Sequence, residues 1–392
     1  MTATLNCRGL RKTYPGQAGY ALGPDPEGVS IEAERGELFA LLGPSGCGKT
    51  TTLRIIGGFV NADAGTVEIE GKDVSGLRPY QRPTNTVFQG YALFPHMSIE
   101  NNVGFGLKMD GVGKSERKKR VAKALELVGL EEFGKRKVAE LSGGQAQRAA
   151  LARAMIKEPS VLLLDEPLGA LDLKLRRQMQ EELVNLKQRS GTTFVHVTHD
   201  QEEACAIADR VAVMNAGRVV QVDSPVELFR APKTAYVAEF INAGTVIRGS
   251  SSQSGDVFEV AGNQMRVRGR APSRISGSRA CAAVLSPAHL RVAPSAHAGS
   301  APNGGDGDQV AGQVDRLVFN GSTHEVHVQT DGGVDLRVDL PLGGNEDLEN
   351  GSLTPGRPVT VSWRPEDVIF VVDDGVAPTA EEEEEIEIRE AV

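Results

Sequence analysis

Apolar positions fall into two regimes along the chain. Between about residues 36 and 222, short apolar runs at 38–42, 161–164, 193–198 and 210–214 lack strict alternation, which predicts parallel strands buried on both faces. Between the second and third of these, Leu171, Leu175, Met179, Leu183 and Leu186 recur at helical spacing and predict a helix over 171–188. Another helix is predicted over Ser115 to Val128, with Val121, Ala124, Leu125 and Val128 on one face. Its KSERKKR run reads as a solvated helix face, because no aromatic or second basic cluster accompanies it as nucleic-acid binding would require. Strand, Gly-rich turn and helix in repetition predict α/β architecture.

After about residue 240 helical periodicity stops. Alternating segments such as Glu325 to Val328 and Leu336 to Leu340 are joined through Asp331-Gly332-Gly333, a hairpin signal, and predict a small β domain. Two stretches rich in Ser, Gly, Ala and Pro, Ser250 to Gly255 and Ala293 to Asp308, read as flexible loops within it. No tandem repeat is visible. The expected organisation is residues 1–240 as an α/β domain, 241–372 as a β-rich domain and 373–392 as a disordered acidic tail.

Composition changes this picture little. The 392 residues are 40% hydrophobic and 24% charged, ordinary for a globular chain of two or three domains. The formal net charge of -9 argues against a nucleic-acid binder until it is located. Residues 373–392 hold nine acids against Arg389, so the remainder is close to neutral. Cys7, Cys47, Cys205 and Cys281 are widely spaced without a CxxC pair, the pattern of reduced thiols in a cytosolic protein. The first residues contain no apolar leader, and no apolar run approaches the ~18 residues that span a bilayer. The chain is expected to reach a membrane only through a partner.

Candidate chemistry begins at Gly43-Pro44-Ser45-Gly46-Cys47-Gly48-Lys49-Thr50, which fits GxxxxGK[ST] between an apolar strand at 38–42 and a helix over Lys49 to Ile56. Glycines let successive backbone N–H groups surround an anion, and the helix N-terminus adds its positive dipole end. Lys49 can reach the β- and γ-phosphates, the Thr50 hydroxyl is a hard ligand for Mg²⁺, and Thr51 can donate to a phosphate oxygen. The run Val161 to Leu164 ends in Asp165 and Glu166, whose side chains should diverge. Asp165 is suited to holding Mg²⁺ and Glu166 to accepting a proton from an attacking water. A second anion cradle is Ser142-Gly143-Gly144-Gln145 before the helical run Ala146 to Met155.

With Leu141-Ser142-Gly143-Gly144-Gln145 in place, the chain resembles the ATP-binding cassette family, and further elements of that family follow in order. The resemblance implies that Tyr14 stacks on adenine, that Gln89 in Thr86-Val87-Phe88-Gln89 senses Mg²⁺ and the lytic water, and that His199 in Val197-Thr198-His199-Asp200 contacts the γ-phosphate. Leu168-Gly169-Ala170-Leu171-Asp172 is similar to the family's D-loop. The implied fold is an α/β P-loop NTPase cassette with a parallel-sheet core and a helical subdomain. Its implied assembly is a homodimer in which Ser142, Gly143, Gly144, Gln145 and Asp172 act in trans on ATP held by the partner's phosphate loop. Val359 to Val368 resembles the RPE-containing strand of the OB-like domain called TOBE, and Val284 to Leu290 a degenerate first copy of it. Departures from the family pattern are the longer segment Leu22 to Gly28, Ala146 and Asn101.

Within importers, Asn85 to Met97 and Asp165 to Arg176 look most like the polyamine ATPases, with iron, sulfate and sugar types sharing much of the pattern. The resemblance implies an ATPase at the cytoplasmic face of the cell membrane, with two permease subunits and, indirectly, an extracytoplasmic binding protein as partners. No nucleic-acid partner is expected. A soluble ABC ATPase of translation or repair would carry two cassettes or long coiled coils, and neither is visible. His324 and His327, three apart on a strand, face opposite ways and make no metal pair.

Overall fold

The apolar runs at 38–42, 161–164, 193–198 and 210–214 are strands in the computed structural model, which describes residues 3–16, 19–24, 26–169, 171–254, 257–262, 265–270, 281–295, 308–343 and 346–375. By internal packing the chain divides into Met1–Pro225 and Val226–Val392. Ala170, residues 296–307 and the acidic stretch 376–392 lie outside the described residues.

The first unit starts with β1 (Ala3–Arg11), β2 (Val29–Glu34), β3 (Leu38–Leu42), α1 (Lys49–Ile56), β4 (Ala64–Ile69), β5 (Lys72–Asp73) and β6 (Thr84–Val87). A helical stretch follows, α2 (Ile99–Val103), α3 (Phe105–Met109), α4 (Lys114–Leu127) and α5 (Gly143–Met155). The unit closes with β7 (Val161–Asp165), α6 (Leu173–Ser190), β8 (Thr193–Thr198), α7 (Gln201–Ile207), β9 (Arg210–Asn215) and β10 (Arg218–Asp223). Six strands form one sheet in the order β10-β9-β3-β8-β7-β6, parallel throughout except for β9 with β10.

Both faces of that sheet are covered, which is why its strands β3, β7, β8 and β9 are buried along nearly their whole length and read without strict alternation. Phe39 and Leu41 of β3 pack with Leu53 and Ile56 of α1, while Leu38 and Phe194 share a cluster with Leu151 of α5 and Leu183 of α6. α4 turns Val121, Ala124 and Leu125 inward as predicted. Part of its basic run caps carbonyls, Arg117 donating to Val112 O at 3.2 Å and Arg120 to Ile156 O at 2.8 Å. α6 starts at Leu173, two residues later than its apolar pattern, because Asp172 caps it. An antiparallel sheet, β2-β1-β4-β5, draws β1 and β2 from before the segment 36–222 and β4 and β5 from within it. Its β2 buries Val29, Ile31 and Ala33 in strict alternation, a period-2 signal.

In the second unit, α8 (Pro225–Arg230), which crosses the division, and α9 (Ala235–Phe240) lead into an all-β half-barrel. Its strands are β11 (Thr245–Ser254), β12 (Val257–Gly262), β13 (Met265–Arg270), β14 (Cys281–Leu285), β15 (Arg291–Pro294), β16 (Asp308–Phe319), β17 (Thr323–Thr330), β18 (Asp335–Pro341), β19 (Pro358–Trp363) and β20 (Ile369–Val372). They form two five-stranded sheets, β13-β12-β11-β14-β20 and β15-β19-β16-β17-β18. The hairpin at Asp331-Gly332-Gly333 joins β17 to β18 as read.

Two expectations are corrected here. Ser250 to Ser254 is the end of β11, paired with Val257 to Ala261, and only Gly255 of that predicted loop falls outside the described residues. Ladder hydrogen bonds come from the backbone, so a serine run with the right neighbour pairs as well as an apolar one. Likewise Ala293 and Pro294 pair in β15 and Asp308 opens β16. Val284 to Leu290 and the RPE segment share one backbone plan, a strand, a turn of 3₁₀ helix begun by proline, and a second strand. The copies interlock, β14 pairing with β20 and β15 with β19.

Candidate functional site

The phosphate-loop candidate joins β3 to α1. Gly46 and Gly48 have φ of 78° and 104°, and a Cβ on Gly48 would stand 2.8 Å from Ala21 O, so the loop admits only glycine at position 48. Lys49 is 4% exposed, and its ammonium donates to Gly43 O at 2.5 Å and Pro44 O at 2.7 Å. Cys47 Sγ lies 3.8 Å from it. α1 has neither a capping side chain nor an acid in its first turn. Its first N–H groups and dipole are thus uncompensated by the chain, which suits an anion.

At the end of β7, burial pushes the Asp165 carboxyl above the ordinary carboxylate range; Arg54 opposes this and the Glu166 charge adds to it. A half-buried acid with one nearby guanidinium fits a cation ligand. Glu166 has φ of 45° and is held there by its N–H to Val197 O at 3.1 Å. Left-handed backbone at a non-glycine residue costs roughly 1–2 kcal/mol, so this turn is strained. It brings the carboxylate to two partners. Gln89 Nε2, beyond β6, is 3.4 Å from Glu166 Oε2, and His199 Nδ1, beyond β8, is 3.6 Å from Glu166 Oε1.

The loop carrying His199 is tied down from below. Thr198 Oγ1 donates to Glu203 Oε2 at 2.8 Å and accepts from Asp200 N, while Asp200 Oδ1 accepts from Glu203 N to cap α7. Fully buried His196 sits 2.7 Å from Glu203 Oε1, and Arg176 of α6 reaches Asp200 Oδ2 at 2.9 Å. None of these supports was read from sequence; each joins residues whose pairing the fold decides.

The second anion cradle is a reciprocal capping box. Ser142 Oγ accepts from Gln145 N at 3.3 Å, and Gln145 Oε1 accepts from Ser142 N at 3.0 Å. Gly144 is buried, and a Cβ there would lie 2.8 Å from Leu175 Cδ1, whereas Gly143 is exposed and meets only Leu171 at 3.8 Å. Asp172 caps α6 by accepting from Leu175 N at 3.0 Å. The N-termini of α5 and α6 thus adjoin each other. Among the described residues, no hydrogen bond or ion pair joins Ser142, Gly143, Gly144, Gln145 or Asp172 to the phosphate loop of the same chain.

Tyr14 stands on a turn held by Asp63, which the sequence reading missed. Asp63 accepts from Lys12 Nζ at 2.7 Å, Thr13 N at 2.7 Å and Thr13 Oγ1 at 2.8 Å. Lys12 Nζ is 5.7 Å from the centre of the Tyr14 ring. These bonds hold the Asp63 carboxyl down to about 2, Lys12 being the largest cause. In sequence Asp63 is one turn acid among several, and nothing marks its partners 50 residues away.

Residues 26–169 match the family model described as ABC transporter, and residues 283–371 that described as TOBE domain. The chain is 46% identical over 344 residues to the spermidine/putrescine import ATP-binding protein PotA of Rubrobacter xylanophilus, covering 86% of this chain and 87% of that protein. It is 44% identical over 348 residues to the uncharacterized ABC transporter ATP-binding protein YdcT of Escherichia coli, covering 89% and 94%. Among solved structures, cbiO1 of Clostridium perfringens, described as part of the ABC transporter complex cbiONQ, matches with a TM-score of 0.54 at 30% identity over 58% of this chain and 91% of that one.

Proposed function

The chain belongs to the ATP-binding proteins of ABC transporters, and on that premise we propose that it hydrolyses MgATP to drive import of polyamines, spermidine or putrescine, through separate membrane subunits. The observation that carries the reading is the meeting of Gln89 and His199 on Glu166, at the ends of three adjacent strands, β6, β7 and β8, of which β8 pairs with the strand β3 that leads into the Lys49 loop.

The residues divide the work as follows. Backbone from Gly43, Pro44, Ser45, Gly46, Cys47 and Gly48 cradles the phosphates, Lys49 leaves its carbonyl partners for the β- and γ-phosphates, and Thr51 donates to a phosphate oxygen. Tyr14 stacks on the adenine. Thr50, Gln89 and Asp165 would hold Mg²⁺, which when bound neutralises phosphate charge. Glu166 accepts the proton of the attacking water, Gln89 orients that water, and His199 contacts the γ-phosphate. Ser142, Gly143, Gly144, Gln145 and Asp172 complete the site of a second copy, so that two ATP molecules close a homodimer. A γ-phosphate bound by both copies favours only the closed state, and its loss reopens it.

Residues 1–240 act as the nucleotide-binding domain and 241–372 as a regulatory one. The assembly includes two permease subunits and a binding protein, with this chain on the cytoplasmic face of the membrane. The relative named for spermidine and putrescine import supports the polyamine assignment. The test is ATP hydrolysis by the full chain reconstituted with its permeases in proteoliposomes. Binding protein loaded with putrescine or spermidine should stimulate it. Stimulation only by ferric iron, sulfate or a sugar overturns the substrate, and an inert chain overturns the reading.

A further inference from the structure

Gln89 opens a loop that runs to α2, and two consecutive residues of that loop are strained. Tyr91 has φ of 60° and Ala92 of 48°, a left-handed backbone that side chains with a Cβ rarely adopt. Neither is glycine, so something outside the loop must hold them. Arg153 of α5 does so with both arms of its guanidinium, Nη1 donating to Ala92 O at 2.7 Å and Nη2 to Tyr91 O at 3.0 Å. The planar fork fixes two successive carbonyls at once, which a flexible ammonium does less well. The guanidinium also lies 5.5 Å from the Phe94 ring centre.

A second anchor holds the far end. Asn102 of α2 is fully buried; its Oδ1 accepts from Phe94 N at 2.7 Å, and its Nδ2 donates to Phe94 O at 3.0 Å and Ser98 O at 3.1 Å. With Phe94 fixed by Asn102, the conformation of Tyr91 and Ala92 sets where Gln89 stands, two residues upstream and 3.4 Å from Glu166.

We propose that Arg153 is a positioning residue for hydrolysis: by clamping the strained Tyr91-Ala92 turn it sets Gln89 against Glu166, and makes the placement of α5 felt at the reacting end of the site. The inference rests on the reading that Gln89 and Glu166 serve ATP hydrolysis. α5 is the helix that Ser142 begins, so whatever closes on Ser142 acts on the same rigid element that carries Arg153.

The test is steady-state MgATP hydrolysis by the full chain. Arg153→Met should lower kcat about ten- to a hundredfold, the scale of a misplaced group near the chemistry, with KM for ATP within about twofold of wild type. Arg153→Lys, which retains one donor group, should recover part of the loss. In a Gln89→Ala background, Arg153→Met should change kcat by less than about twofold, because the residue it positions is already gone. An unchanged kcat in Arg153→Met, or the same fold-loss with and without Gln89, overturns the inference. If Arg153→Met does not fold, Arg153→Lys in the two backgrounds decides by the same criterion. An active wild type with additive losses refutes only the clamp, whereas an inactive wild type refutes the site reading itself.

Discussion

Asp63 accepts three hydrogen bonds from Lys12 and Thr13 and so fixes the turn on which Tyr14 stands. Its folded pKa, about 2, lies below the ordinary value of 3.8, so its contribution to stability is fully present above 3.8 and is lost as pH falls through 2. Asp63→Asn should therefore lower the urea midpoint at pH 7. The gap to wild type should narrow as pH falls below 4. A gap that stays constant from pH 7 to pH 3 refutes the role given to the charge. Lys49, Glu166 and Gln89 were legible as chemistry because their motifs are local in sequence. Asp63, Arg153 and Asn102 were not, because each bonds to backbone whose proximity or strain exists only after folding.

Helix ends show a residue serving two purposes at the level of the element. Asp172 is a candidate for contacting a partner's nucleotide and is also the N-cap of the 18-residue helix α6. Losing such a cap costs about 0.5–2 kcal/mol, while asparagine caps as well as aspartate. Asp172→Ala should lower the urea midpoint of the chain and Asp172→Asn should keep it; equal losses in both would show that the cap is not what stabilises α6. Strands buried on both faces were readable as apolar runs, and α4 from its inward face. The serine-rich end of β11 was not, since pairing depends on the neighbouring strand and not on side-chain polarity.

For the whole molecule, no helix among the described residues is long and apolar enough to cross a membrane. The proposed closure of two copies over ATP, with Glu166 as the proposed proton acceptor, predicts that Glu166→Gln binds ATP but loses turnover by about 10²–10⁴-fold. Light scattering should show that variant doubling in mass with MgATP and remaining a single chain with ADP; wild-type turnover would refute the role of Glu166. From the sequence alone came the nucleotide chemistry, the α/β and all-β halves and the family resemblance, because each rests on motifs or periodicities spanning few residues. Tertiary structure alone decided that Gln89 and His199 meet on Glu166, that Asp63 holds the Tyr14 turn, and that Arg153 clamps the Gln89 loop. Those contacts join segments from about 30 to 80 residues apart, and only packing brings them together.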